Sequence, residues 1–143
     1  ASDIERVGDY AANVAKRSIA LNLAPPLPQI AGLHALGMLA AQQMRDVMAA
    51  YRDSDVELAK RVRARDAEVD AAYTGLFREL LTYMMEDPRS ITGCTHVMFM
   101  AKNIERIGDH ATNIAENVWF LINGDQPLPP RDKRDETSTT GKI

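Results

Sequence analysis

Residues 3–17 of this chain return at 103–117 without a gap. Asp3-Ile4-Glu5-Arg6-Val7-Gly8-Asp9-Tyr10-Ala11-Ala12-Asn13-Val14-Ala15 is answered by Asn103-Ile104-Glu105-Arg106-Ile107-Gly108-Asp109-His110-Ala111-Thr112-Asn113-Ile114-Ala115. Eight of the fifteen positions are identical and two more exchange Val for Ile, at a constant offset of 100 residues. Ungapped self-similarity of this kind marks a duplicated structural unit. The repeated element carries Glu-x-x-x-Asp, two carboxylates one helical turn apart. With a unit of about a hundred residues, the second copy runs from roughly residue 24 to residue 123, and the first is represented by its last helix alone. The expectation is a C-terminal portion of a duplicated protein, lacking roughly 80 upstream residues.

The remaining segments read as helices. Ile4, Val7, Ala11, Val14 and Leu21 form a stripe on a helix over 1–22, by their three- and four-residue spacing. A Pro-rich linker, 23–28, ends it, because proline lacks the donor and clashes with the preceding turn. A second helix is expected over 29–52 with Ile30, Leu33, Gly37, Ala40, Met44, Val47 and Tyr51 on its seam. Ser54-x-x-Glu57 reads as a capping box opening a third helix, 54–86, with Ala59, Val62, Asp66, Val69, Tyr73, Leu76 and Leu80 at heptad spacing. Asp87-Pro88 opens a fourth, 88–123, whose stripe is Val97, Met100, Ile104, Ile107, Ala111, Ile114, Val118 and Leu121. Asn123-Gly124 supplies its stop. No strand pattern competes. The fold expected is all-α: an antiparallel three-helix bundle over 29–124, preceded by a leftover helix. Residues 125–143 are too polar and Pro-rich to order themselves and are expected to form a disordered tail.

Composition narrows the function classes. A net charge of −3 and a pI near 5.6 argue against a nucleic-acid-binding face spread over the domain. The single Cys94 precludes an internal disulfide framework and fits a reducing compartment. No apolar run is long enough to span a bilayer, and cytoplasmic is the expected location.

The chemistry lies in the acids. Glu105 and Asp109 share one helix face roughly opposite the apolar stripe, so they are expected to point outward, and Glu5 and Asp9 repeat the arrangement. A lone pair of this kind is ordinarily a solvated face with Arg6 or Arg106 as counter-charge. The duplication favours more: Gly8 and Gly108 are copied with the acids, although glycine in a helix costs about 1 kcal/mol against alanine. Asp66 occupies a core-stripe position and Asp70 follows one turn later. A buried carboxylate is costly unless paired or bound to a cation; Arg63 and Arg65 stand close enough in sequence to pair it. Two acid pairs on adjacent helices can instead offer oxygen ligands to a shared metal centre. No Glu has a His three residues later, which argues against a di-iron oxidase or ferroxidase. His34, His96 and His110 read as ordinary residues, and the seven Met mostly as core filling. No phosphate loop, nucleophile elbow or Cys-x-x-Cys is present.

The run from Asn103 to Glu116, ending in Phe120-Leu121-Ile122-Asn123-Gly124, together with Tyr83-Met84-Met85-Glu86-Asp87-Pro88-Arg89, resembles the signature of the PhoU family. The resemblance covers residues 1–124. It implies two three-helix bundles related by duplication, each with paired acidic motifs. It implies metal ligands at Asp66, Asp70, Glu105 and Asp109 in the complete bundle, with Glu5 and Asp9 serving the other, and multinuclear iron or zinc as the metal. The implied role is non-enzymatic: repression of the phosphate-starvation response between the Pst phosphate transporter, through its ATPase subunit PstB, and the sensor kinase PhoR. A homodimer that meets the membrane only through partners is implied too. The copies differ where Tyr10 replaces His110 and Lys16 replaces Glu116, which weakens the first site. Two other readings stand beside this one: a carboxylate-liganded, metal-dependent hydrolase or oxidase, and a metal-free helical interaction module.

Overall fold

The computed structural model describes residues 2–25, 27–28, 30–124 and 128; the tail expected over 125–143 otherwise lies outside the described residues. Four α-helices carry the chain: α1 (Ser2–Asn22), α2 (Ala31–Asp53), α3 (Val56–Glu86) and α4 (Ile91–Asn123). A 3-10 turn, Pro88–Ser90, precedes α4. The described residues contain no strand. Helices α2, α3 and α4 pack on one another, and α1 packs against α4 alone.

Neighbouring contacts give the directions. Gln43 meets Val62 and Gly32 meets Leu76, so α2 and α3 are antiparallel. Arg63 meets Glu116 and Val69 lies beside Gly108, so α3 and α4 are antiparallel. Asp3 meets His110 and Arg17 meets His96, so α1 runs antiparallel to α4 as well.

The helix ends show why the boundaries fall where they do. Ser54 adopts a left-handed conformation, φ 52°, and closes α2 through its N–H to Ala50 O. The cap of α3 is therefore Asp55, whose carboxylate accepts from Leu58 N at 3.0 Å, and not the expected Ser54 box. An acidic cap also complements the partial positive charge of a helix N-terminus. Asp87 accepts from Arg89 N at 3.0 Å, but it caps the 3-10 turn, so α4 begins at Ile91 and not at Pro88. Gly124, at φ 62°, donates to Phe120 O and ends α4 as expected.

The core forms two clusters. One gathers Leu36, Ala40, Val69, Tyr73, Leu76, Leu80, Cys94, Val97, Ala101 and Ile104. The other gathers Val47, Ala50, Ala59, Val62, Ala111, Ile114, Ala115 and Val118. Each fully buried Leu or Val contributes about 1.5–3 kcal/mol. Between the clusters lie Gln43, Asp66 and Gly108, all buried. All seven expected seam residues of α3 are buried. The seam of α2 is turned from the expected one: it runs Leu36, Ala40, Gln43, Val47, Ala50, and Tyr51 is exposed. The stripe of α4 stops before Leu121, which is also exposed.

Helix α1 docks on α4 as expected of an apolar helix seeking cover, but by a stripe turned from the expected one. Val7, Val14 and Leu21 of that stripe are half-buried, joined by Asp3, Tyr10, Arg17, Ser18 and Ala20, whereas Ile4 is 51% exposed and Ala11 is open. Polar residues make the contact. Asp3 Oδ1 lies 2.7 Å from His110 Nδ1, the His110 ring lies 5.6 Å from that of Tyr10, and Arg106 sits over Tyr10.

Candidate metal centre

Asp66 and Asp70 project from α3 one turn apart, and both are buried, at 0% and 2% exposure. Asp109 on α4 is exposed. One carboxylate oxygen from each lies within 4.8 Å of the other two. No other group of three potential ligands gathers among the described residues. Three carboxylates this close repel one another, and two have given up their hydration, a combination that costs several kcal/mol per buried ion before compensation. A multivalent cation offsets both terms. The donor set is oxygen only, which fits a hard cation.

Gly108 makes the approach possible. A Cβ placed there would stand 3.2 Å from Val69 Cγ1 and 3.4 Å from Asp66 Oδ1. Hydrogen at this position lets α4 lie close enough to α3 for Asp109 to meet Asp66. The helical glycine copied in the repeat thus has a packing reason in its second copy. Thr112 Oγ1 donates to Gly108 O at 3.2 Å, adding a polar contact at the same level of α4.

Glu105 departs from expectation. It is 3% exposed and does not point outward. The reason is that α4 is the central helix, contacted by α1, α2 and α3 together, so a broader arc of it is covered than one stripe supplies. Lys102 Nζ donates to Glu105 Oε1 at 2.7 Å and lies 5.2 Å from the centre of the Tyr73 ring. Burial alone would lower the Lys102 pKa, but the hydrogen bond and charge of Glu105 outweigh it and carry it above the ordinary lysine value. Glu105 stands one turn from Asp109, and the close group is Asp66, Asp70 and Asp109 without it.

Arg63 and Arg65 each meet a carboxylate outside the cluster. Arg63 Nε lies 3.4 Å from Glu116 Oε1, and Arg65 pairs with Asp46 on α2. Burial pushes the Asp46 carboxyl up, yet the hydrogen bonds from Arg65 and Gln42 dominate and hold it below its ordinary value. Each of Asp66, Asp70, Glu105 and Asp109 also has interactions within the fold. Glu5 and Asp9 are both exposed on α1 and belong to no group of three among the described residues. A Cβ at Gly8 would meet nothing within 4 Å.

Sequence patterning missed Gln43 and the Asp3–His110 contact. Gln43 Nε2 donates to Val62 O at 2.7 Å inside the bundle; its signal was a polar residue three after Ala40 and four before Val47. By sequence His110 reads as an ordinary residue, with Tyr10 in its place in the first copy. The two in fact meet across the α1–α4 interface.

Comparison with known proteins finds relatives of this chain. A family profile described as "PhoU domain" matches residues 33–118. The phosphate-specific transport system accessory protein PhoU homolog of Xylella fastidiosa (strain 9a5c) is 68% identical over 96% of this chain and 58% of its own length. The phosphate-specific transport system accessory protein PhoU of Escherichia coli (strain K12) is 35% identical over 86% of this chain and 51% of its own. Among solved structures, PhoU from Pseudomonas aeruginosa superposes with a TM-score of 0.82 at 39% identity, over 85% of this chain and 59% of that one. The chain therefore spans somewhat more than half the length of these relatives.

Proposed function

The chain belongs to the PhoU family, and we propose that it acts as the metal-binding part of a non-enzymatic regulator of phosphate uptake and of the phosphate-starvation response. The observation that carries the metal reading is the convergence of Asp66, Asp70 and Asp109 from two helices. Of iron and zinc, iron is the better match, because zinc sites ordinarily recruit sulfur or nitrogen ligands, and none stands in this group. Glu105 completes the proposed ligand set while Lys102 holds its Oε1, and Glu5 with Asp9 would serve a second site with acids from another helix. A bound cation supplies positive charge to an otherwise acidic surface. The chain's own contribution is to hold Asp66 and Asp70 dry and fixed on α3, while Asp109 faces outward from α4.

The regulatory reading rests on the relatives, which are named as accessory proteins of the phosphate-specific transport system. The proposed partners are the ATPase subunit of that transporter and the sensor kinase, with a homodimer in the cytoplasm. No helix among the described residues is long and apolar enough to cross a membrane. The test is a phosphate-starvation reporter in cells carrying the full-length protein with Asp66→Asn and Asp109→Asn together. Derepression in phosphate-rich medium, with loss of transporter-ATPase capture in a pull-down, is expected. Full repression by a variant shown to lack metal would overturn the proposal. Turnover of a phosphoester by the metal-loaded wild type would move the assignment to a hydrolase.

A further inference from the structure

Where α1 crosses α4, away from the carboxylate cluster, an open groove of about 530 Å³ is lined by Lys16, Arg17, Arg106 and His96. Two amides, Asn13 and Asn103, line it as well, and its lining contains no carboxylate. In a chain whose 20 acidic residues outnumber its 17 basic ones, that is a local reversal of sign. None of Lys16, Arg17 and Arg106 pairs with a carboxylate among the described residues. Arg17 and Arg106 are held by aromatic and imidazole contacts instead. The Arg17 guanidinium lies 4.2 Å over the Phe99 ring and donates to His96 Nδ1 at 3.3 Å, which leaves Nε2 to carry the ring proton. Arg106 lies 5.7 Å from the centre of the Tyr10 ring. Asn103, almost fully buried, gives one hydrogen of Nδ2 to Phe99 O at 3.0 Å and retains the second.

The duplication supplies an independent observation. Lys16 and Arg17 stand where the second copy has Glu116 and Asn117. In α4, Glu116 meets Arg63; in α1, the corresponding position turns a cation into the groove. The copies thus diverge in charge at the two α1 positions that make this surface basic. Concave surfaces lined by one sign of charge concentrate ligands of the other, and arginine forks match phosphate oxygens in pairs.

We infer that the α1–α4 groove binds a small phosphate-bearing anion. The site is separate from the metal proposal, and its test keeps the two apart by working in excess chelator, so that no phosphate is bridged through a cation on the aspartates. The 15N-labelled chain is titrated with inorganic phosphate, pyrophosphate and ATP at constant ionic strength set by chloride. The expected result is saturable amide shifts confined to the groove, around residues 13–17 and 96–106, with at least one of the three anions. Equal saturation by all three assigns the site to the phosphate group itself, and selective saturation by ATP assigns it to a nucleotide. Lys16→Gln combined with Arg17→Gln, and separately Arg106→Gln, should each weaken binding at least about tenfold with the spectrum otherwise unchanged, while Lys60→Gln on α3 should leave affinity intact. The inference is overturned by no saturable shift up to about 10 mM of any of the three anions. It is overturned equally by unchanged affinity in both groove variants, or by an acidic peptide that occupies the groove when none of the phosphates does.

Discussion

Replacing Gly108 by alanine tests how the two helices bring the aspartates together. The added Cβ would sit 3.2 Å from Val69 Cγ1 and 3.4 Å from Asp66 Oδ1. Val69 is buried and β-branched, so its side chain has little room to turn aside. Overpacking of a closed core costs about 1–3 kcal/mol. Alanine recovers up to about 1 kcal/mol of helix propensity, which leaves Gly108→Ala destabilised by roughly 0–2 kcal/mol. Gly8→Ala is the built-in control, because the same motif position on α1 has nothing within 4 Å; it should stabilise by up to about 1 kcal/mol. Urea unfolding of both variants in chelator gives the comparison, and the gap between them should be about 1–3 kcal/mol. Metal titration of Gly108→Ala should show affinity reduced about 10- to 100-fold, as when other supports of a metal site are removed. If Gly108→Ala stabilises as much as Gly8→Ala and binds metal unchanged, the close-approach argument is wrong.

Asp66→Asn should lower metal affinity at least about tenfold, measured by isothermal titration; unchanged affinity would make Asp66 a structural acid. Asp109→Asn should lower metal affinity without destabilising the chain in chelator, because it relieves the repulsion among the three carboxylates. Glu105→Gln should instead cost about 1 kcal/mol, discounted for the half-exposed Lys102, and equal unfolding midpoints for these two variants would contradict the burial difference. Asp3→Ala should raise amide exchange in α1 and leave α2 and α3 unchanged, because α1 packs on α4 alone. Since Asp46 is held below its ordinary pKa, its contribution is present above the unfolded value and is lost as pH falls below about 4. Asp46→Asn should therefore flatten the acid limb of the stability curve, and an unchanged limb would remove Asp46 from the account.

Helical period made the architecture legible because each helix has to bury one continuous face. Every seam residue expected in α3 is buried, since α3 meets α2 and α4 along a single arc. The misreadings in α4 and α1 have different causes. Helix α4 is covered by three helices, so Glu105 became buried where a single-stripe argument turned it to water. In α1, Asp3, Tyr10 and Arg17 look like surface residues, and the interface uses them because His110, Arg106, His96 and Phe99 face them. The placement of Asp66 was readable from its heptad position. The nearness of Asp109 was not, since it depends on how closely two helices approach, which is decided by Gly108 against Val69 and is invisible to periodicity.

Metal content is the decisive measurement for the aspartate cluster. The chain, stripped with chelator and then dialysed against ferric iron held soluble by a weak chelator, should retain iron in stoichiometric or greater amount by elemental analysis. Asp66→Asn and Asp109→Asn, each shown to be folded by circular dichroism, should retain substantially less. A wild-type chain that emerges metal-free, from iron and from a parallel dialysis against zinc, would contradict the account, as would variants that hold as much metal as wild type.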